Sequence, residues 1–125
     1  MEFKFDNERP IYVQLVEQLR IGIVSLKFVS GERLPSVREL ALMAKVNPNT
    51  MQKALMELED EKLIYTERTN GKFVTKDTKL IKRIREKLAK DKVQTFFLDM
   101  EKIGMSVDAV IEYLQEVTKK EDIWN

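Results

Sequence analysis

The chain has 125 residues, 43% of them hydrophobic, enough to bury one good core, or a small core with a helical appendage, and hardly more. It contains neither cysteine nor histidine, which removes disulfides, the usual zinc ligands, the cysteine nucleophile and the commonest general base, and leaves only carboxylates, lysines and hydroxyls for any chemistry. The net charge of +1 hides no basic half, since residues 1–77 carry 12 Lys/Arg against 12 Asp/Glu and residues 78–125 carry 10 against 9, so nucleic-acid binding has to rest on local placement rather than on bulk charge.

Helical periodicity begins at Pro10. Tyr12, Leu15, Val16, Leu19, Ile23 and Leu26 recur at three- and four-residue steps, which predicts a first helix over Pro10–Leu26. Gly31 and Pro35 then bound a short loop, and "SVRE" follows as a capping box in which Ser36 and Glu39 serve each other's backbone amides. A second helix is expected over Val37–Ala44. Only Lys45, Val46 and Asn47 separate it from a third, so the two helices must meet through a tight turn. Asn47 is the N-cap of the third helix and Pro48 its first residue. Met51, Ala54, Leu55 and Leu58 make its buried stripe, leaving Asn49, Thr50, Gln52 and Lys53 to point outward near its N-terminal end.

After "EDEK" the period changes. "LIYTERTNGKFVT" reads as two short strands joined at Asn70-Gly71, a dipeptide suited to a tight turn, with the return strand over Lys72–Lys76. From Asp77 a long helix carries Ile81, Ile84, Leu88, Val93, Phe96, Phe97, Met100 and Ile103 on one side and ends at Gly104. Ser106 caps a last helix with Val107, Val110, Ile111, Leu114 and Val117 as its apolar face. No run approaches the roughly 18 apolar residues of a membrane span, and "MEFKFDNERP" has neither the basic lead nor the apolar run of an export signal. A cytoplasmic protein with no membrane association is expected.

The expected fold class is mainly α with a small β-hairpin: a winged helix-turn-helix over 1–76, then a two-helix dimerisation region over 77–125. In a helix-turn-helix the later helix enters the DNA major groove. The amides and hydroxyl on its opening turn suit base edges and phosphates, and Arg38 offers a fork that fits the guanine O6 and N7 acceptors. Ser36 and Asn47 are explained as caps, each contributing about 1 kcal/mol, so they say little by themselves about DNA. Asn49 and Gln52 have no comparable local role. The acidic run Glu57, Glu59, Asp60 and Glu61 is expected to be a solvated face at the far end of the third helix.

The linked strings "PIYVQLVEQLR", "GERLPSVRELA", "VNPNTMQKALMELE" and "NGKFV" resemble the DNA-binding domain of the GntR family of bacterial transcription regulators over about residues 9–76. The short helical tail is most similar to the YtrA-like subfamily, whose small C-terminal helices serve dimerisation. The resemblance implies that Ser36 and Thr50 contact phosphate and that Arg38 reads a base. It also implies that Asn47, Asn49, Gln52 and Lys53 lie at the groove, with Asn70 and Gly71 at a wing that approaches the minor groove. Many family members have arginines where this chain has Pro48 and Gln52, so a different half-site is expected, with Lys53 recovering part of the charge.

The last two helices carry more apolar surface than they can cover for each other. A second subunit is expected to complete that core through Ile84, Leu88, Phe96, Phe97, Met100 and Leu114. Phe96, Phe97 and Met100 are read as interface rather than ligand pocket, because two helices alone do not enclose a cavity of roughly 300 Å3 or more. Two-fold symmetry then sets two recognition helices about 34 Å apart, or a multiple, on an inverted repeat of double-stranded DNA. The expected function is a homodimeric, sequence-specific regulator, a repressor rather than an activator. The alternative from another class is a winged-helix protein-interaction module without sequence-specific DNA binding. No constellation supports an enzyme. No cofactor or resident metal is expected, and a small-molecule effector is not favoured, although carboxylate sites for hard cations stay open.

Overall fold

The computed structural model describes residues 1–119, so the last six positions of the expected 77–125 region lie outside the described residues. The chain divides into two units, 1–85 and 86–125. In the first, helix α1 spans Ile11–Val24. It opens with the Pro10 carbonyl accepting the Gln14 amide at 3.3 Å. It stops two residues short of the expected Leu26, which takes a left-handed φ of +65° and turns the chain so that Phe28 is buried and its amide reaches back to the Gly22 carbonyl at 3.0 Å.

The amides of two glutamines on α1 hold the segment before it. Gln18 donates to the Lys4 carbonyl at 2.6 Å and accepts from the Lys4 amide at 3.0 Å. The buried Gln14 accepts from the Asp6 amide at 3.0 Å and donates to the carbonyls of Asp6 and Arg9 at 3.1 and 2.7 Å. Both side chains thereby satisfy the backbone as a neighbouring strand would.

Helix α2 runs from Val37 to Ala44, with Ser36 Oγ accepting the Glu39 amide at 3.1 Å. Lys45 ends it at φ +57°. Helix α3, Pro48–Asp60, begins three residues later, with Asn47 Oδ1 on the Asn49 amide at 2.7 Å. Leu15, Leu19 and Ile23 of α1, Leu40 of α2, and Met51, Leu55 and Leu58 of α3 form the core with Leu63, Ile64 and Val74. α3 packs against both α1 and α2.

Strand β1, Ile64–Glu67, pairs antiparallel with β2, Gly71–Val74, in the register Ile64 opposite Val74 through Glu67 opposite Gly71. The loop therefore has three residues, 68–70, instead of a turn centred on Asn70-Gly71. The Asn70 amide bonds the Glu67 carbonyl at 3.3 Å and Gly71 alone takes a positive φ, +100°, the three-residue arrangement that preserves strand twist. The return strand ends at Val74 and not at Lys76, because Thr75 Oγ1 accepts the Asp77 amide and Asp77 Oδ1 the Leu80 amide, each at 3.0 Å, to start the next helix. The other edge of β2 is also occupied. The Leu34 amide bonds the Lys72 carbonyl at 2.8 Å, the Val74 amide bonds the Glu32 carbonyl at 2.9 Å, and Arg33 bridges Phe73.

Helix α4 covers Thr78–Lys102. Near its start Arg85 donates from Nε and Nη2 to the Val24 carbonyl at 2.8 and 2.6 Å, a cation on the last carbonyls of α1. In the second unit Gly104, at φ +90°, follows α4, and Ser106 Oγ accepts the Ala109 amide at 3.2 Å to open helix α5, Val107–Lys119. No helix among the described residues is long and apolar enough to cross a membrane.

Candidate nucleic-acid interface

Three segments supply the polar groups singled out from the sequence: the opening of α2, the opening turn of α3 and the wing formed by β1 and β2. Ser36 uses a lone pair as a cap and keeps its hydroxyl hydrogen for an acceptor outside the helix. Arg38, the second residue of α2, is exposed and has no ion pair among the described residues. Asn47 spends its carbonyl oxygen on the Asn49 amide, which leaves its two N–H donors to face outward. Asn49 and Lys53 are exposed, whereas Thr50 and Gln52 are half-buried. At the wing, Asn70 Nδ2 donates to Glu67 at 3.1 Å and Gly71 is half-buried.

The electrostatics of this unit follow from where its acids go. Of the expected solvated face, Glu57 and Asp60 are exposed, whereas Glu59 and Glu61 are half-buried and ion-paired. Tyr12 donates its hydroxyl to Glu57 at 2.8 Å, and that hydrogen bond, with burial second, raises the Tyr12 pKa above its ordinary value. Arg20 grips Glu61 with two bonds at 2.9 and 2.6 Å; the bond to Glu61 raises the guanidinium pKa, while burial opposes it. Glu59 accepts from Thr66, and Lys72 Nζ lies 3.0 Å from Thr66 and 3.5 Å from Glu59. Two carboxylates of α3 and that of Glu61, which caps its end, thus fasten it to α1 and the wing. Contacts made across 41 to 45 residues leave no trace in a local pattern.

The cations are distributed differently. Arg33, Arg38, Lys45, Lys53 and Arg68, on the segments that flank and form the turn, α3 and the wing, have no ion pair among the described residues. Local placement therefore matters more than the net charge: Glu59 and Glu61 are paired within the unit, and five basic groups around the turn, α3 and the wing remain for a polyanion. They stand alongside the exposed acids Glu39, Asp60 and Glu67, which have no ion pair among the described residues either. Arg33 was not apparent from sequence, because "GERLP" reads as loop and nothing local connects it to the wing. No group of three or more carboxylates able to hold a metal ion occurs among the described residues.

The residues expected at a subunit interface lie on α4 and α5. Ile84, Leu88, Phe97, Met100 and Leu114 are half-buried and Phe96 is exposed. Phe96 and Phe97 meet edge to face, with centroids 5.6 Å apart.

Residues 11–74 match the family described as bacterial regulatory proteins, gntR family. The HTH-type transcriptional repressor YtrA of Bacillus subtilis is 31% identical over 113 residues, covering 90% of this chain and 87% of that protein. A solved GntR family transcriptional regulator from Listeria monocytogenes shares 38% identity with a TM-score of 0.82, over 90% of this chain and 99% of its own. AraR(DBD) solved in complex with operator ORE1 is 26% identical with a TM-score of 0.51, over 60% of this chain and 94% of its own.

Proposed function

The chain belongs to the GntR family of bacterial regulatory proteins, and from that premise we propose that it is a homodimeric repressor which occupies an inverted-repeat operator through Arg38, the opening turn of α3 and the wing. Sequence-specific DNA binding in transcription regulation is the function of this family, and AraR, of the same fold, is solved on its operator. YtrA, similar over most of both chains, is a repressor, which supports the same polarity here.

The basic and polar side chains around the opening of α3, without an ion pair among the described residues, carry the proposal. With Glu59 and Glu61 ion-paired within the unit and Glu57 held by Tyr12, α3 presents Asn49 on its first turn, where the helix dipole also favours a phosphate, and Lys53 on its second. Ser36 and Thr50 supply hydroxyls for phosphate oxygens. Arg38 supplies the two parallel donors that recognise guanine, and Asn47, Asn49 and Gln52 supply amides for base edges. Ile84, Leu88, Phe96, Phe97, Met100 and Leu114 join two copies, with recognition in the first unit and assembly through the exposed part of α4 and α5. A cytoplasmic location follows from the partner, double-stranded DNA.

The test is fluorescence anisotropy on a duplex selected from a random pool, and on its scrambled counterpart, across a range of salt. Preference for the selected duplex by about 1,000-fold or more is expected at physiological salt. Equal affinity for both duplexes rejects the proposal. Arg38→Ala should weaken binding by about 1–3 kcal/mol and relax discrimination at one base pair of each half-site. An equal loss on every sequence would make Arg38 a phosphate contact instead.

A further inference from the structure

Strand pairing decides which wing side chains share a face, because directly opposed residues, and residues two apart on one strand, point the same way. Ile64 opposite Val74 and Thr66 opposite Lys72 form the inner face: the first pair is buried in the core, and the second is bonded to Glu59 of α3. Tyr65 opposite Phe73, with ring centroids 5.5 Å apart, and Glu67 opposite Gly71 form the outer face. Arg33 bridges Phe73 from the far edge, so its side chain belongs to that outer face as well.

The guanidinium runs along this face toward the loop. A Cβ at Gly71 would stand 3.3 Å from Arg33 Nε and 3.5 Å from Nη2. Gly71 therefore has two roles: its positive φ closes the hairpin, and its missing side chain leaves a berth for the guanidinium. The wing's own Lys72 is taken up by Glu59, and the outer-face acid Glu67 accepts from Asn70. Two exposed guanidinium groups without an ion pair among the described residues remain at the wing, Arg68 in the three-residue loop and Arg33. Only Arg33 is anchored by backbone pairing and laid along the outer face instead of carried on a free loop.

When α3 fills a major groove about 12 Å wide, a hairpin beside it meets the adjoining backbone and minor groove. A narrow, A·T-rich minor groove concentrates negative potential and attracts an inserted arginine. We propose that Arg33 is the wing's DNA-reading cation, engaging the minor groove that flanks each half-site and favouring A·T-rich steps there. The proposal rests on the DNA-binding function above and adds to it a residue and a flank preference that contacts from α3 do not supply.

The experiment is selection from a pool of random duplexes by wild type, Arg33→Ala and Arg33→Gln in parallel, followed by affinity measurements on the selected repeat with A·T-rich or G·C-rich flanks. Wild type should enrich a central inverted repeat with A·T-rich flanks and bind that duplex about tenfold more tightly than its G·C-flanked form. Both variants should enrich the same central repeat and bind the two flanked forms alike, with unchanged thermal midpoints. Arg33→Gln keeps a long polar stem and preserves the comparison if Arg33→Ala fails to fold. An undiminished flank preference in the variants, or an equal loss on both flanks, overturns the role of Arg33 while leaving operator binding intact. If wild type enriches no sequence at all, operator binding falls and the inference falls with it.

Discussion

Lys45 occupies the turn between α2 and α3 in a left-handed conformation, φ +57°, and its exposed ammonium has no ion pair among the described residues. A side chain there costs roughly 1–2 kcal/mol relative to glycine, and glycine returns part of this through its freer unfolded chain. Lys45→Gly should therefore stabilise the fold by about 1 kcal/mol, seen as a higher urea midpoint at unchanged slope. A lower midpoint would show that the lysine stem makes a contact the strain only partly offsets. Tyr12 offers a second test at the same scale. Its folded pKa is raised, first by the hydrogen bond to Glu57 and then by burial, above the unfolded value of about 10. The stabilisation is thus fully present below about pH 10 and is lost as pH rises through the folded pKa. Thermal midpoints of wild type should fall more steeply across that alkaline window than those of Tyr12→Phe, and parallel curves would remove the linkage.

Each helix that the sequence delimits correctly has a local chemical stop or start. Ser36, Asn47 and Ser106 accept backbone amides as N-caps, and Gly104 takes the positive φ that follows a helix end. Such signals act within four residues, so one chain reveals them. What the pattern missed depends on distant partners. Glu32–Leu34 is too short to show strand periodicity, yet it pairs with β2, and the acidic end of α3 looks solvated until Tyr12, Arg20 and Lys72 are brought to it. The candidate site was legible in the same proportion. Arg38 and the turn of Asn47 to Lys53 stand out locally, whereas Arg33 is connected to the wing only by pairing with Phe73. The link from wing to α3 can be tested as a unit. Glu59→Ala removes the acceptor shared by Thr66 and Lys72 and should cost about 1 kcal/mol, with amide exchange in β1 and β2 accelerating more than in α1. Uniform acceleration throughout the first unit would mean that the hairpin is held by Ile64, Val74 and the pairing of β2 with Glu32–Leu34, without Glu59.

Assembly is the property of the whole molecule on which operator geometry depends, and the second unit supplies its rationale. Among described residues 86–119, Val110 is the only buried side chain, while Val93 is 50% exposed, Leu98 58%, Ile103 71%, Val107 54% and Ile111 44%. That apolar surface loses about 25 cal/mol for each Å2 left in water, a strong incentive for a second copy to cover it. Phe96 is suited to test this, because at 39% exposure it is able to accept a charge without unfolding its own helix. Phe96→Asp should shift the protein from dimer to monomer in sedimentation. Binding to the two-half-site operator should then weaken by about 100-fold or more, since linked sites gain that much from effective concentration, while affinity for an isolated half-site stays unchanged. If Phe96→Asp stays dimeric, Phe96 lies outside the interface. If wild type itself sediments as a monomer, two-fold recognition of an inverted repeat loses its basis.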